Sequence, residues 1–79
     1  RKDYEVFNLS DIETRFQDGE TVNKESLILK GLLKKASALV KVLGDGDLTK
    51  KLTVSVDKVS ASAKEKIEKA GGTVVLGAE

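Results

Sequence analysis

Alternating apolar and polar positions divide the chain into four predicted strands. They lie at Glu5–Leu9, Val40–Leu43, Leu52–Asp57 and Thr73–Leu76. Within Leu52–Asp57 every second side chain is apolar, which is the period of a half-buried strand. We expect the core to contain Phe7, Phe16, Val42, Leu43, Leu52, Val54, Val56, Ile67 and Val75. Neighbouring strand residues point to opposite faces, so burying both Val42 and Leu43 requires a sheet that is covered on both sides.

Capping boxes predict the starts of two short helices. In the first, Ser10 precedes Glu13 by three residues, and the helix is expected to stop near Asp18–Gly19. In the second, Ser62 is the predicted N-cap, and apolar side chains recur at helical spacing until Gly71. We expect Gly71 to end this helix in a left-handed conformation.

A further helix is predicted between these two, over Lys24–Lys30. Asn23 is its predicted N-cap, and Gly31 follows it at the position where a left-handed residue is favoured. Leu32 can then fold back on Leu27, as in a Schellman motif. Because strands and helices alternate, the sequence predicts a small single α/β domain. It has about four short strands and three short helices, with parallel strand pairing.

Two glycines, Gly44 and Gly46, lie in the eight-residue segment between the second and third predicted strands. One interpretation is structural, because glycine permits the positive φ angles that turns require. The other is functional, because glycine allows the backbone to approach a phosphate closely. Asp45 and Asp47 lie in the same loop, but position twelve of a calcium loop counted from Asp45 is Val56 instead of glutamate. We therefore predict no metal site.

The composition argues against an enzyme. The 79 residues make one small domain and include no histidine and no cysteine. Serine–histidine nucleophiles and thiolate metal sites are therefore excluded. No apolar run approaches the roughly 20 residues that span a bilayer. Because the chain starts at Arg1 without methionine, we expect it to belong to a longer protein.

Positive charge is concentrated in the second part of the chain. Residues 1–29 hold four basic and seven acidic side chains, whereas residues 30–79 hold ten lysines and six acids. Between Lys30 and Gly44 there are four lysines and no acid. These lysines either form a solvated surface or meet an anionic partner. The candidates for binding that partner flank the glycine loop: Lys34, Lys35, Lys41, Lys50 and Lys51.

The chain resembles the ribosomal protein L-fifteen family of the large ribosomal subunit. The resemblance starts at Asn8-Leu9-Ser10-Asp11 and includes the helix end at Gly31-Leu32. Its main part runs through Lys41-Val42-Leu43-Gly44-x-Gly46-x-Leu48, Leu52-x-Val54 and Val59-Ser60-x-x-Ala63-x-x-x-Ile67-x-x-x-Gly71. It implies an irregular β-β-α superhelix. It also implies that residues 1–79 are the C-terminal globular domain of a longer protein whose basic N-terminal extension is absent.

The resemblance implies a structural constituent of the large subunit that binds rRNA and neighbouring ribosomal proteins and supports assembly and translation. The five candidate lysines are then the rRNA contacts. It implies no enzymatic activity, no cofactor, no membrane or small-molecule partner and no homo-oligomer. The expected location is the ribosome, in the cytoplasm or in an organelle. The alternative is a protein–protein interaction module without a nucleic acid partner.

Overall fold

The computed structural model describes residues 4–35 and 37–76 and confirms the α/β class. Within these ranges the chain forms six short strands and three helices. The strands are β1 (Tyr4–Asn8), β2 (Thr21–Val22), β3 (Leu39–Leu43), β4 (Thr53–Val56), β5 (Lys58–Val59) and β6 (Thr73–Leu76). The helices are α1 (Leu9–Arg15), α2 (Lys24–Leu29) and α3 (Ala61–Lys69). Strands β2 and β5 were missed in the sequence because two residues are too few to show alternation.

The strands form two parallel sheets, and the chain passes from one sheet to the other after every strand. The first sheet has the order β1-β3-β5, and the second has the order β2-β4-β6. All four strand pairs are parallel, whereas the sequence predicted parallel pairing only somewhere in the sheet. One strand of the first sheet and the next strand of the second sheet together make one coil of a short superhelix. The three successive coils are β1 with β2, β3 with β4, and β5 with β6. Three segments connect the first sheet to the second: helix α1, residues 44–52 with the two loop glycines, and helix α3.

The three coils share a threonine–valine pair at the same register position of the second sheet. Thr21-Val22 aligns with Thr53-Val54, and Thr53-Val54 aligns with Thr73-Val74. The valines of the first two pairs are fully buried, and the third packs against the same core. The threonines point to the opposite face of the sheet, because side chains alternate along a strand.

The core lies between the inner faces of the two sheets and beneath the helices. Phe7 and Phe16 are buried there, as predicted. The prediction was wrong for Val75, which is 47% exposed, and Leu43 is only half-buried. Both side chains lie on the outer faces of the sheets, which are not fully covered. The buried apolar residues are Phe7, Leu9, Ile12, Phe16, Val22, Leu27, Leu33, Val40, Val42, Leu48, Leu52, Val54, Val56, Ala63 and Ile67.

Helix α2 has the predicted signals at both ends. The Ser26 N–H donates to Asn23 Oδ1 over 2.8 Å, which makes Asn23 the N-cap. Gly31 has a φ of +77°, and the Leu32 N–H donates to the Leu27 carbonyl over 2.9 Å. This is the predicted Schellman motif. The last helical residue is Leu29, one position before the predicted end.

Helices α1 and α3 begin two residues earlier than predicted. Their N-caps are Asn8 and Ser60 instead of Ser10 and Ser62. The Asn8 N–H donates to Asp11 Oδ2 over 3.1 Å, and the Ser60 hydroxyl accepts the N–H three residues later. The chain offers two capping residues two positions apart at each helix start. In both helices the first of the two is used: Asn8 is the last residue of β1, and Ser60 directly follows β5.

The ends of these helices differ from each other. Gly71 follows α3 with a φ of +92°, which confirms the predicted left-handed helix end. The Gly72 N–H donates to the Ile67 carbonyl over 2.9 Å, which completes a second Schellman motif. Helix α1 stops at Arg15, before the predicted Asp18–Gly19.

A single residue, Asp57, connects β4 in the second sheet to β5 in the first. Its Oδ2 atom accepts the Val40 N–H at the start of β3 over 2.8 Å. The same oxygen lies 3.4 Å from Lys24 Nζ at the start of α2. Asp57, which lies between β4 and β5, thus holds the start of α2 and the start of β3. These belong to the other connection that returns from the second sheet to the first.

The described part of the chain contains no helix with the length and apolar character of a membrane span.

Candidate nucleic-acid interface

The glycine loop, residues 44–46, lies between helices α1 and α3. The Ser10 N–H of α1 donates to the Asp45 carbonyl over 3.0 Å. From α3, Lys66 Nζ donates to the carbonyls of Gly44 and Gly46, each over 2.8 Å. The loop backbone is therefore held on both sides by groups of the same chain.

Packing against these helices explains both glycines. Gly46 has a φ of +93°, and a Cβ atom there would lie 2.6 Å from the Ser10 Cβ. Gly44 has no positive φ, which corrects the expectation that both glycines serve a left-handed turn. A Cβ atom at Gly44 would lie 2.8 Å from the Ala63 N atom and closer still to the Ser62 hydroxyl. The close backbone approach in this loop is thus to α1 and α3.

Lys50, one of the five candidate lysines, binds the C-terminal end of α1. Its Nζ atom donates to the Glu13 carbonyl over 2.5 Å and to the Phe16 carbonyl over 2.7 Å. The last carbonyls of a helix have no partner within the helix, and a lysine ammonium is a favourable one. Lys50 therefore has a structural role, and its contact with rRNA stays a prediction.

The neighbouring Thr49 reinforces this contact. Its N–H and hydroxyl donate to the two carboxylate oxygens of Glu13 over 3.0 and 2.7 Å. The hydrogen bond from the Thr49 backbone, followed by that from its hydroxyl, holds the pKa of the Glu13 carboxyl below its usual value. The carboxylate is therefore ionised at neutral pH. Residues 49–50 thus bind the segment that follows the glycine loop to α1.

The other four candidate lysines lie in three different parts of the fold. Lys51 follows Lys50 and is exposed, on the side where the chain passes from the first sheet to the second. Lys34 and Lys35 are exposed in the connection that returns to the first sheet after α2. Lys41 is half-buried on the outer face of β3. The structure thus distributes the set over several parts of the fold, and only the sequence neighbours Lys34 and Lys35 share one.

The structure adds Lys58, which the sequence analysis missed. Lys58 aligns with Lys41 across the β3–β5 pair, so both side chains point to the outer face of the first sheet. The signal was present in the sequence as a repeated lysine–valine pair, Lys41-Val42 and Lys58-Val59. It was missed because β5 was not recognised as a strand.

Comparison with known proteins identifies the family. A model of the family described as "Ribosomal proteins 50S-L15, 50S-L18e, 60S-L27A" matches residues 6–75, which include the glycine loop and all the lysines discussed above. The chain belongs to this ribosomal protein family. Its resemblance to ribosomal protein L-fifteen, inferred from the glycine-loop segment, is thereby confirmed.

Curated relatives from several bacteria are similar along almost the whole chain. "Large ribosomal subunit protein uL15" of Treponema denticola is 69% identical over 75 residues, which is 95% of this chain and 50% of the relative. The protein of the same name from Mesomycoplasma hyopneumoniae is 55% identical over 74 residues, or 94% of this chain and 50% of the relative. The one from Lactobacillus delbrueckii subsp. bulgaricus has the same identity and coverage. The chain thus spans about half the length of these relatives.

Proposed function

We propose that the chain is part of a structural constituent of the large ribosomal subunit. There it binds large-subunit rRNA and neighbouring ribosomal proteins and supports assembly and translation. The observation that carries this proposal is the similarity to proteins named for the large ribosomal subunit, at up to 69% identity over 75 residues. Because these relatives are bacterial, we infer a location on ribosomes in the cytoplasm. The role requires neither catalysis nor a cofactor.

Exposed lysines supply the proposed contacts to rRNA. Lys34, Lys35 and Lys51 are exposed, and Lys41 is half-buried on an open sheet face. A lysine ammonium acts as a point charge on phosphate, so these contacts position the protein and carry little sequence information. The net charge of +1 is small, so binding by this chain alone is expected to be weak and sensitive to salt.

Exposed apolar side chains on α2 support the proposed contact with a neighbouring ribosomal protein. Leu29 is 86% exposed and Ile28 is 38% exposed, next to each other at the end of the helix. Exposed apolar patches on small proteins often mark protein interfaces. A module that binds only protein is the alternative function, and it predicts no salt-dependent association with rRNA.

Replacing Lys34 and Lys35 together with alanine should reduce the salt dependence of rRNA binding. If both ammonium groups touch phosphate, the slope of log affinity against log salt should fall by roughly one to two. The measurement is a titration of large-subunit rRNA fragments at several salt concentrations. The matched control is the Lys64→Ala, Lys69→Ala double variant, which removes the same charge from exposed positions of α3.

The control should keep the wild-type slope more closely than the Lys34, Lys35 variant. Equal slopes for wild type and the Lys34, Lys35 variant, with the fold intact by circular dichroism, would show that these two lysines face solvent. Absence of any salt-dependent binding would favour the protein-only module.

A further inference from the structure

The outer face of the first sheet carries two adjacent lysines. Val6 of β1, Lys41 of β3 and Lys58 of β5 align in register across the three strands. Neighbouring strands lie about 4.8 Å apart, so the side chains of Lys41 and Lys58 leave the backbone next to each other on the same face. Val6 is 48% exposed and Lys58 is exposed, which shows that this face is open to a partner.

No acidic group of the described residues neutralises this pair. Neither Lys41 nor Lys58 forms an ion pair within residues 4–35 and 37–76. Glu5 aligns with Val40, so it belongs to the opposite face of the sheet. Asp57 is occupied by the Val40 N–H and by the Lys24 ammonium group at the start of α2. Like charges directly opposite each other destabilise a sheet, so we expect the pair to weaken the isolated fold.

Protection of a sheet edge explains only one of the two lysines. Charged residues on edge strands prevent edge-to-edge association, and β5 is an edge strand of the first sheet. Strand β3, however, is the central strand, and its backbone is paired on both sides. Lys41 therefore has no such role, whereas an anionic partner on this face would account for both lysines.

We propose that the outer face of the first sheet is an rRNA-binding surface, in which Lys41 and Lys58 together hold the phosphate backbone. This inference rests on the proposed function and names the surface that performs it. The apolar side chains of Val6, Leu39 and Leu43 flank the lysines and provide packing for sugars and bases. The outer face of the second sheet carries Thr21, Thr53, Ser55, Thr73 and Val75, none of which is charged.

The two outer faces provide a matched pair of probe positions. Val6 and Val75 are both strand valines, 48% and 47% exposed, and they lie on different sheets. The chain has no cysteine, so Val6→Cys and Val75→Cys each create a unique thiol. A photoactivatable cross-linker on each thiol reports what lies over that face after the chain joins bacterial large subunits that lack the related protein. We expect cross-links to rRNA from position 6 and few from position 75.

The outcomes separate this inference from the proposed function. If the unlabelled chain does not join large subunits even at low salt, the proposed function fails and this inference fails with it. If the labelled Val6→Cys variant joins the subunits but cross-links only to protein, or to nothing, the inference is wrong and the proposed function stands. An acidic protein segment over the two lysines would be found in this way.

A second variant makes the test independent of the cross-linker. The double variant with Lys41→Met and Lys58→Met keeps the apolar stems of both side chains and removes both charges. Because the charges repel each other, the thermal midpoint of unfolding should stay the same or rise. The slope of log affinity for large-subunit rRNA against log salt should nevertheless fall by roughly one to two. A lower midpoint together with an unchanged slope would assign the lysines a structural role and overturn the inference.

Discussion

Replacing Gly46 with alanine is expected to destabilise the domain by about 2–5 kcal/mol. Two effects add at this position. A left-handed backbone costs an L-residue roughly 1–2 kcal/mol, and Gly46 has a φ of +93°. The new Cβ atom would also lie 2.6 Å from the Ser10 Cβ and 2.9 Å from the Ser10 N atom. Overpacking of this kind typically costs a further 1–3 kcal/mol or so.

Gly19 is a matched control, because its φ is also +93° and no atom lies within 4 Å of the Cβ position. Gly19→Ala should therefore lose only the conformational contribution of about 1–2 kcal/mol. Urea unfolding of both variants gives the difference between them, which isolates the contact between the loop and α1. Equal destabilisation of the two variants would mean that the loop and α1 separate at little cost. A domain of 79 residues has a total stability of roughly 4–12 kcal/mol, so Gly46→Ala should remove a large part of it.

Replacing Lys50 with methionine is expected to destabilise the domain by about 2–3 kcal/mol. Methionine keeps the apolar stem but removes the ammonium group that holds the Glu13 and Phe16 carbonyls. Hydrogen bonds from a charged donor contribute about 1.5–3 kcal/mol each, and partial exposure allows water to replace some of this. The effect should appear in the free energy of unfolding in water.

Lys51 provides the control for this variant. It is the next residue and carries the same charge, but it is exposed and its side chain makes no hydrogen bond within the described part of the chain. Lys51→Met should change stability by less than about 0.5 kcal/mol, as surface substitutions usually do. If Lys50→Met proves equally mild, the Lys50 ammonium group does not hold α1 and is free to bind phosphate.

Local signals predicted the helix ends better than the helix starts. Gly31 and Gly71 follow the last apolar residue of their helices, and only glycine adopts their left-handed angles at little cost, so position alone was informative. At the starts, Asn8 competes with Ser10, and Ser60 competes with Ser62. The choice depends on tertiary contacts. Ser10 packs against Gly46, and Ser62 packs against Gly44. Both serines therefore contact the glycine loop and do not serve as N-caps.

The two-sheet arrangement could not be predicted from hydrophobic alternation. Strand β5 has only two residues, and it forms because it pairs with β3. The paired residues Lys41 and Lys58 are 17 positions apart in the sequence. The same limitation led to the error at Val75. Alternation shows that one face of a strand is buried, but whether a helix covers the other face is a property of the whole fold.

The candidate site was predicted only in outline. Clustered charge identified the lysines, but sequence order cannot distinguish an ammonium group that binds carbonyls from one that faces solvent. Lys50 and Lys51 are neighbours in sequence and differ in this respect. Lys58 is 17 positions from Lys41 but adjacent to it in the sheet. The expectation that residues 1–79 are the C-terminal domain of a longer protein stays a prediction.

Sedimentation with ribosomal subunits tests the central claim most directly. A tagged chain expressed in a bacterium should be found in the large-subunit fraction of a sucrose gradient. Raising the salt concentration should release it, because phosphate contacts weaken as counterions compete. A chain that is folded by circular dichroism but stays at the top of the gradient at low salt, while the subunits are intact, would contradict the account.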